Sequence, residues 1–224
     1  MPLGDSITHG MGGSNGGYRG PLANLLRPSI PDFQFVGESI SNSGGLPMCQ
    51  WCHCGHGSYA VADIDRNLDA LDTCVYDAQG DEELRSPNGG YWLTGISGSR
   101  DPIFPDIILL LVGANDINRL ANVERQKLDD LVGKIVRLRP DAKLILGNVT
   151  PYPAMAGLVA TWNARVDAAV VSYGDLGMNV TGVDLFAGFP VNGLGADGLH
   201  PNDIGYNWMA RRWYEAILAL YPPA

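Results

Sequence analysis

Ile107-Ile108-Leu109-Leu110-Leu111-Val112-Gly113-Ala114-Asn115-Asp116 is the stretch that decides the fold. Six consecutive apolar residues are strand-sized, and the lack of alternation describes a strand covered on both faces. The Gly-Ala-Asn-Asp segment then reads as a strand-to-helix turn. Runs at 1–4, 33–37, 143–149 and 179–184 read the same way, so with 106–112 the chain predicts five buried strands. Helical periodicity fills the spaces between them. Leu128, Leu131, Val132, Ile135 and Leu138 share one helix face, as do Val159, Trp162, Val166, Ala169 and Val170. Tyr206, Met209, Trp213, Ile217 and Leu220 mark a last amphipathic helix. Buried strands alternating with helices give an α/β architecture, a parallel sheet between two helical layers.

The 224 residues fit one domain spanning 1–224. Hydrophobic residues make up 46% and charged residues 17%, as in a globular chain. A net charge of -9 repels a phosphate backbone and argues against nucleic acid as a partner. No run of 18 apolar residues is present, so no membrane span is expected. The chain starts inside its first strand, which points to a mature or trimmed chain. The stretch from about 73 to 105 is rich in Gly, Asp, Ser and Pro and is expected to be a long surface insertion.

Three segments could carry chemistry. Gly4-Asp5-Ser6-Ile7-Thr8 follows the first strand, where an open parallel sheet places its ligands. Ser6 there can present its hydroxyl, although a loop serine is also an ordinary helix cap. Asp197-Gly198-Leu199-His200-Pro201 places a carboxylate three residues before an imidazole, at the start of the final helix. A neutral His200 can take the Ser6 proton while Asp197 fixes its tautomer. Of the four histidines, only His200 has a carboxylate three residues before it. Asn115, after the central strand, can offer its amide to a developing oxyanion. Each segment alone has a bland reading as a turn. The combination is far more specific.

Those blocks, in that order from Gly4 to His200, resemble the GDSL/SGNH hydrolase family. Further strings are similar to carbohydrate esterase family 3 within it: Met1-Pro2-Leu3-Gly4-Asp5-Ser6-Ile7-Thr8, Gly16-Gly17-Tyr18-Arg19, Gly55-His56-Gly57, and Asp197-Gly198-Leu199-His200-Pro201-Asn202-Asp203-x-Gly205-Tyr206. The resemblance implies a flavodoxin-like three-layer αβα sandwich. It also implies a serine esterase that deacetylates xylan or similar acetylated polysaccharides and oligosaccharides without a catalytic metal, through Ser6, His200 and Asp197. We expect it to act as a monomer. The alternatives are a non-catalytic carbohydrate-binding member of the fold, or an esterase for lipid or short-chain substrates.

The second block departs from the family. Its usual form is Gly-His-x-Gly-aromatic, and its last Gly gives a backbone N–H to the oxyanion. Here Ser58 stands where that Gly belongs, in Gly55-His56-Gly57-Ser58-Tyr59, and Cys54 replaces a usual acid. The donor is therefore expected at Ser58 or at Gly57, beside the N–H of Ser6 and the Asn115 amide.

Other patterns carry less. Gly12-Gly13-Ser14-Asn15-Gly16 matches G-x-S-x-G but follows loop residues rather than a strand. Gly193 to Gly198 matches G-x-G-x-x-G with no βαβ unit left to hold a dinucleotide. Cys49, Cys52, His53, Cys54 and His56 have zinc-ligand chemistry, yet we expect disulfides instead, in one of two pairings with Cys74. Sequons at Asn148 and Asn179 join the cysteines in suggesting secretion. The resemblance hints at a structural calcium in some relatives, for which Asp77, Asp81, Glu82 and Glu83 could supply oxygens; a solvated loop explains them as well. Trp51, Tyr59, Tyr91, Trp92 and Trp208 are candidate sugar-stacking platforms.

Overall fold

The computed structural model describes residues 1–47, 50–70, 90–97, 101–119 and 125–221. Its frame is one five-stranded, all-parallel sheet in the order β2-β1-β3-β4-β5. The strands are β1 (Pro2–Gly4), β2 (Cys54–Gly55), β3 (Ile107–Leu111), β4 (Lys143–Gly147) and β5 (Val180–Val183). β3 lies at the centre, with Leu3 opposite Leu110 on one side and Leu109 opposite Ile145 on the other. Ile108 through Leu111 are almost wholly buried, as a strand covered on both faces demands.

The helices are α1 (Ser6–His9), α2 (Arg19–Leu26), α3 (Val61–Asp69), α4 (Ala114–Asn118), α5 (Arg125–Leu138), α6 (Ala156–Asp175) and α7 (Asp203–Ala219). α2 packs on α7, while α3, α5 and α6 pack in a row. The apolar stripes expected in α5, α6 and α7 are the buried faces. Leu131, Val132, Trp162, Met209 and Trp213 are each 1% exposed or less.

The strand expected at 33–37 does not form; the fifth strand is Cys54–Gly55, beside β1. The Gln50 side chain takes the place of a strand partner. Its Nε2 donates to the Phe33 carbonyl at 2.8 Å and its Oε1 accepts the Phe35 N–H at 3.0 Å. Phe35 is buried without a ladder. β2 escapes a hydropathy reading because it is two residues long and set among Cys, His and Gly.

Two glycines are required where strands run into the site. A Cβ on Gly4 would meet the Leu111 carbonyl oxygen at 2.0 Å, at the crowded end of β1. Gly113 has φ +127° and lies under the Trp162 ring, which a Cβ would meet at 2.2 Å. Trp162 Nε1 donates to the Val112 carbonyl at 3.0 Å, which fixes the end of β3 against α6.

Of the two sequons, Asn148 is buried and its Oδ1 accepts the Leu185 N–H, so it is closed to a glycan. Asn179 is exposed at the start of edge strand β5. Cys49, Cys74 and most of the expected insertion, with Asp77, Asp81, Glu82 and Glu83, lie outside the described residues. Cys52 is a free thiol, so neither expected disulfide pairing, each of which needs Cys52, is present. No helix among the described residues is long and apolar enough to cross a membrane.

Candidate active site

β1 ends at Gly4 and α1 starts at Ser6, with Asp5 between them as N-cap. The Asp5 carboxylate accepts the Ile7 N–H at 3.0 Å and so fixes the turn that carries Ser6. Asp5 is fully buried. Burial pushes its pKa up to about 7, against the pull of its backbone hydrogen bonds and with a smaller push from Asp116.

The partners of Ser6 arrive from the far end of the chain. His200 sits on a turn closed by Gly195 N–H to the His200 carbonyl at 2.8 Å and Gly198 N–H to the Gly195 carbonyl at 3.1 Å. Asn202 locks this turn to α7. Its Oδ1 accepts the N–H groups of Ile204 and Gly205, and its Nδ2 donates to the carbonyls of Asn192 and Leu194.

Ser6, His200 and Asp197 form one line of contacts. Asp197 Oδ2 lies 2.6 Å from His200 Nδ1, and His200 Nε2 lies 2.8 Å from Ser6 Oγ. With a proton on Nδ1, donated to Asp197, the other ring nitrogen accepts from the Ser6 hydroxyl. Asp197 Oδ1 accepts the backbone N–H groups of Leu199 and His200, each at 3.0 Å. Burial works against the Asp197 carboxylate, but the hydrogen bonds from His200 and Leu199 outweigh it and hold its pKa below the ordinary value. Its side chain is 53% exposed, so water screens it.

The second and third blocks meet each other. Asn115 Nδ2 donates to the Tyr59 carbonyl at 2.9 Å, and Arg119 Nη2 donates to the Ser58 carbonyl. The Val61 N–H donates to Asp116 Oδ2 at 3.1 Å. Thus α4 and its C-cap Arg119 grip residues 58–61 at three points. Ser58 needs that grip, because its φ of +62° is in the left-handed region. The conformation that glycine adopts freely is imposed here on a serine. Gly57 and Ser58 form the turn itself, with Tyr59 N–H returning to the His56 carbonyl at 3.4 Å. The Gly-to-Ser departure therefore leaves the glycine-type backbone in place.

Several sequence candidates take other roles. Tyr59 and Trp92 are buried and lie near-parallel to the His56 ring, so they are core rather than sugar platforms. Trp208 packs edge-on against Phe189. Both nitrogens of the His53 ring are occupied: Nδ1 accepts the Gly55 N–H at 3.0 Å, and Nε2 lies 2.9 Å from the Ser41 carbonyl. A metal would have to displace one of these contacts. Sequence reasoning missed Arg119, which holds the Ser58 carbonyl. Arg119 lies four residues beyond Asn115, one helical turn on, and that spacing was the available signal.

Comparison with known proteins identifies the family and the fold. The model of the GDSL-like Lipase/Acylhydrolase family matches residues 3–208. A family 3 carbohydrate esterase of Clostridium thermocellum is 27% identical, with a TM-score of 0.76 over 99% of this chain and 98% of that one. A multidomain esterase of Ruminococcus flavefaciens is 26% identical over 97% of this chain and 28% of its own length. A putative endoglucanase X of Acetivibrio thermocellus is 31% identical over 50% of this chain and 49% of its own. The chain thus spans less than half the length of these two curated relatives. With its parallel sheet, flanking helices and family match over residues 3–208, the chain belongs to the GDSL-like lipase/acylhydrolase family and has the SGNH hydrolase fold.

Proposed function

We propose that this chain is a secreted serine esterase that removes acetyl groups from acetylated carbohydrate, acetylxylan above all. The observation that carries the reading is the line from Asp197 through His200 to Ser6, at 2.6 and 2.8 Å. Ser6 Oγ attacks the acetyl carbonyl as its proton passes to His200 Nε2. The carbonyl oxygen becomes an oxyanion, stabilised by the N–H of Ser6, the N–H of Ser58 or Gly57, and the second amide hydrogen of Asn115. The first Asn115 hydrogen is committed to Tyr59. When the tetrahedral intermediate collapses, the sugar oxygen leaves with the proton from His200. Water, deprotonated by the same imidazole, then attacks the acetyl-Ser6 ester and releases acetate. Asp197 stays ionised and stabilises the imidazolium at each stage.

Likeness to the family 3 carbohydrate esterase supports a carbohydrate ester as substrate. The exposed Asn179 sequon is the feature that supports secretion. The test is acetate release from acetylxylan, compared with other acetylated sugars and with longer acyl esters. Release fastest from acetylxylan and lost in Ser6→Ala is expected. Turnover that survives Ser6→Ala would remove the mechanism, and a preference for long acyl chains would remove the substrate.

A further inference from the structure

Glu38 and His56 form a pair buried inside the loops beside the site. The side chains are 0% and 4% exposed, and Glu38 Oε1 lies 2.7 Å from His56 Nε2. The approach is off the line of a hydrogen bond, and Oε2 has no hydrogen-bond partner among the described residues. A buried carboxylate is stable only beside a counter-group, so Glu38 has strong reason to hold the His56 ring where it is. Glu38 is itself held in place, because its neighbour Ser39 exchanges two backbone hydrogen bonds with His53, each at 2.9 Å. The His56 ring also lies near-parallel to Tyr59, at 4.6 Å between centroids, and to Trp92, at 5.2 Å. Two other segments and its own turn therefore fix this imidazole.

That imidazole belongs to the corner residue of the turn carrying Gly57 and Ser58. The His56 N–H donates to the Gly4 carbonyl at 3.1 Å, two residues before Ser6, and its carbonyl accepts the Tyr59 N–H. The backbone of His56 thus joins the segment that delivers Ser6 to the turn that presents the Ser58 and Gly57 N–H groups. A shift of the ring would change the spacing between the N–H of Ser6 and that of the turn. An oxyanion needs both at hydrogen-bond distance at once.

We propose that Glu38 is a positioning residue for the oxyanion-binding turn, acting through the His56 ring. The inference rests on the serine esterase reading. Nothing in the spacing of the sequence points to it, since Glu38 lies 18 positions from His56 in a segment with no motif.

The test compares Glu38→Ala and Glu38→Gln with the wild-type chain, using a short aryl acetate as substrate and phenylboronic acid as inhibitor. The boronic acid forms a tetrahedral adduct on a serine, so its Ki reads the oxyanion site, while KM reads ground-state binding. Glu38→Ala should lower kcat by about 10- to 100-fold and raise Ki in step, with KM within about threefold. Glu38→Gln keeps the length and packing of the side chain against the ring but not its charge, and should recover only part of the loss. If kcat and Ki stay within about threefold in Glu38→Ala, the pair is merely structural and the proposal is overturned, whatever happens to Tm. Should Glu38→Ala fail to fold, His56→Gln read by the same two quantities decides the matter. Loss of turnover in Ser6→Ala is measured alongside; it keeps the esterase reading intact even if Glu38 proves inert.

Discussion

Asn115, on the first turn of α4, reaches across to the Tyr59 carbonyl at 2.9 Å. One amide thus ties the third block to the second while keeping a hydrogen for the oxyanion. Asn115→Ala removes both functions. We predict a fall in kcat on the order of 10²–10³, and a loss of stability of about 1 kcal/mol for the tether. Steady-state kinetics and urea unfolding check the two separately. A stability loss with unchanged kcat would leave Asn115 as a tether alone.

Ser58 occupies a left-handed conformation, with φ +62°, that favours glycine. Ser58→Gly should therefore stabilise the fold by about 1 kcal/mol, the relief of strain exceeding the added freedom of the unfolded chain. Thermal unfolding should show a Tm higher by about 2–4 °C. A lower Tm would mean that the serine hydroxyl makes a contact worth more than the strain.

Asp197 is half-exposed, unlike the buried aspartate of serine proteases. Water can replace part of its field and part of its hydrogen bond to the imidazole. Asp197→Ala should lower kcat by about 10- to 100-fold, a milder loss than the ~10⁴ seen when a buried triad aspartate is replaced. A larger loss would show that orientation of the ring, rather than charge, is the main contribution.

Asp5 gives stability a pH dependence of unusual sign. Burial raises its native pKa to about 7, whereas the unfolded chain releases the proton in the ordinary carboxylate range. Between these values the native state holds more protons than the unfolded one, so the Asp5 contribution to stability falls as pH rises from about 4 to 7. The full span is on the order of 4 kcal/mol. Asp197 acts oppositely: its lowered pKa stabilises the fold above the ordinary carboxylate range and the gain is lost as pH falls. Asp5→Asn keeps an acceptor for the Ile7 N–H and cannot ionise. Unfolding at several pH values should find it gaining on the wild type as pH rises from about 4 to 7. A constant difference would contradict the assignment.

The sheet was legible where strands are long and buried. Ile107–Leu111 and Lys143–Gly147 announce themselves by hydropathy, and Ser6, Asn115, Asp197 and His200 stand just beyond strands or before a helix. Residues 33–37 misled because an apolar run signals burial, not pairing, and Gln50 satisfies its backbone from a side chain. Cys54–Gly55 was invisible because two residues carry no periodicity. The φ of Ser58 was open in the sequence because a residue's identity does not fix its backbone when α4 grips it from Asn115, Asp116 and Arg119. Glu38 was hidden for a related reason, its partner being set by the fold rather than by spacing.

The central claim is that Ser6 carries the acyl group during turnover. The most direct measurement is mass spectrometry of the protein acid-quenched during hydrolysis of 4-nitrophenyl acetate, followed by digestion. The account predicts one added acetyl group on the peptide containing Ser6, present in the wild type and absent in Ser6→Ala, which no longer turns over. An acetyl group on a different residue, or full turnover by Ser6→Ala, would contradict it.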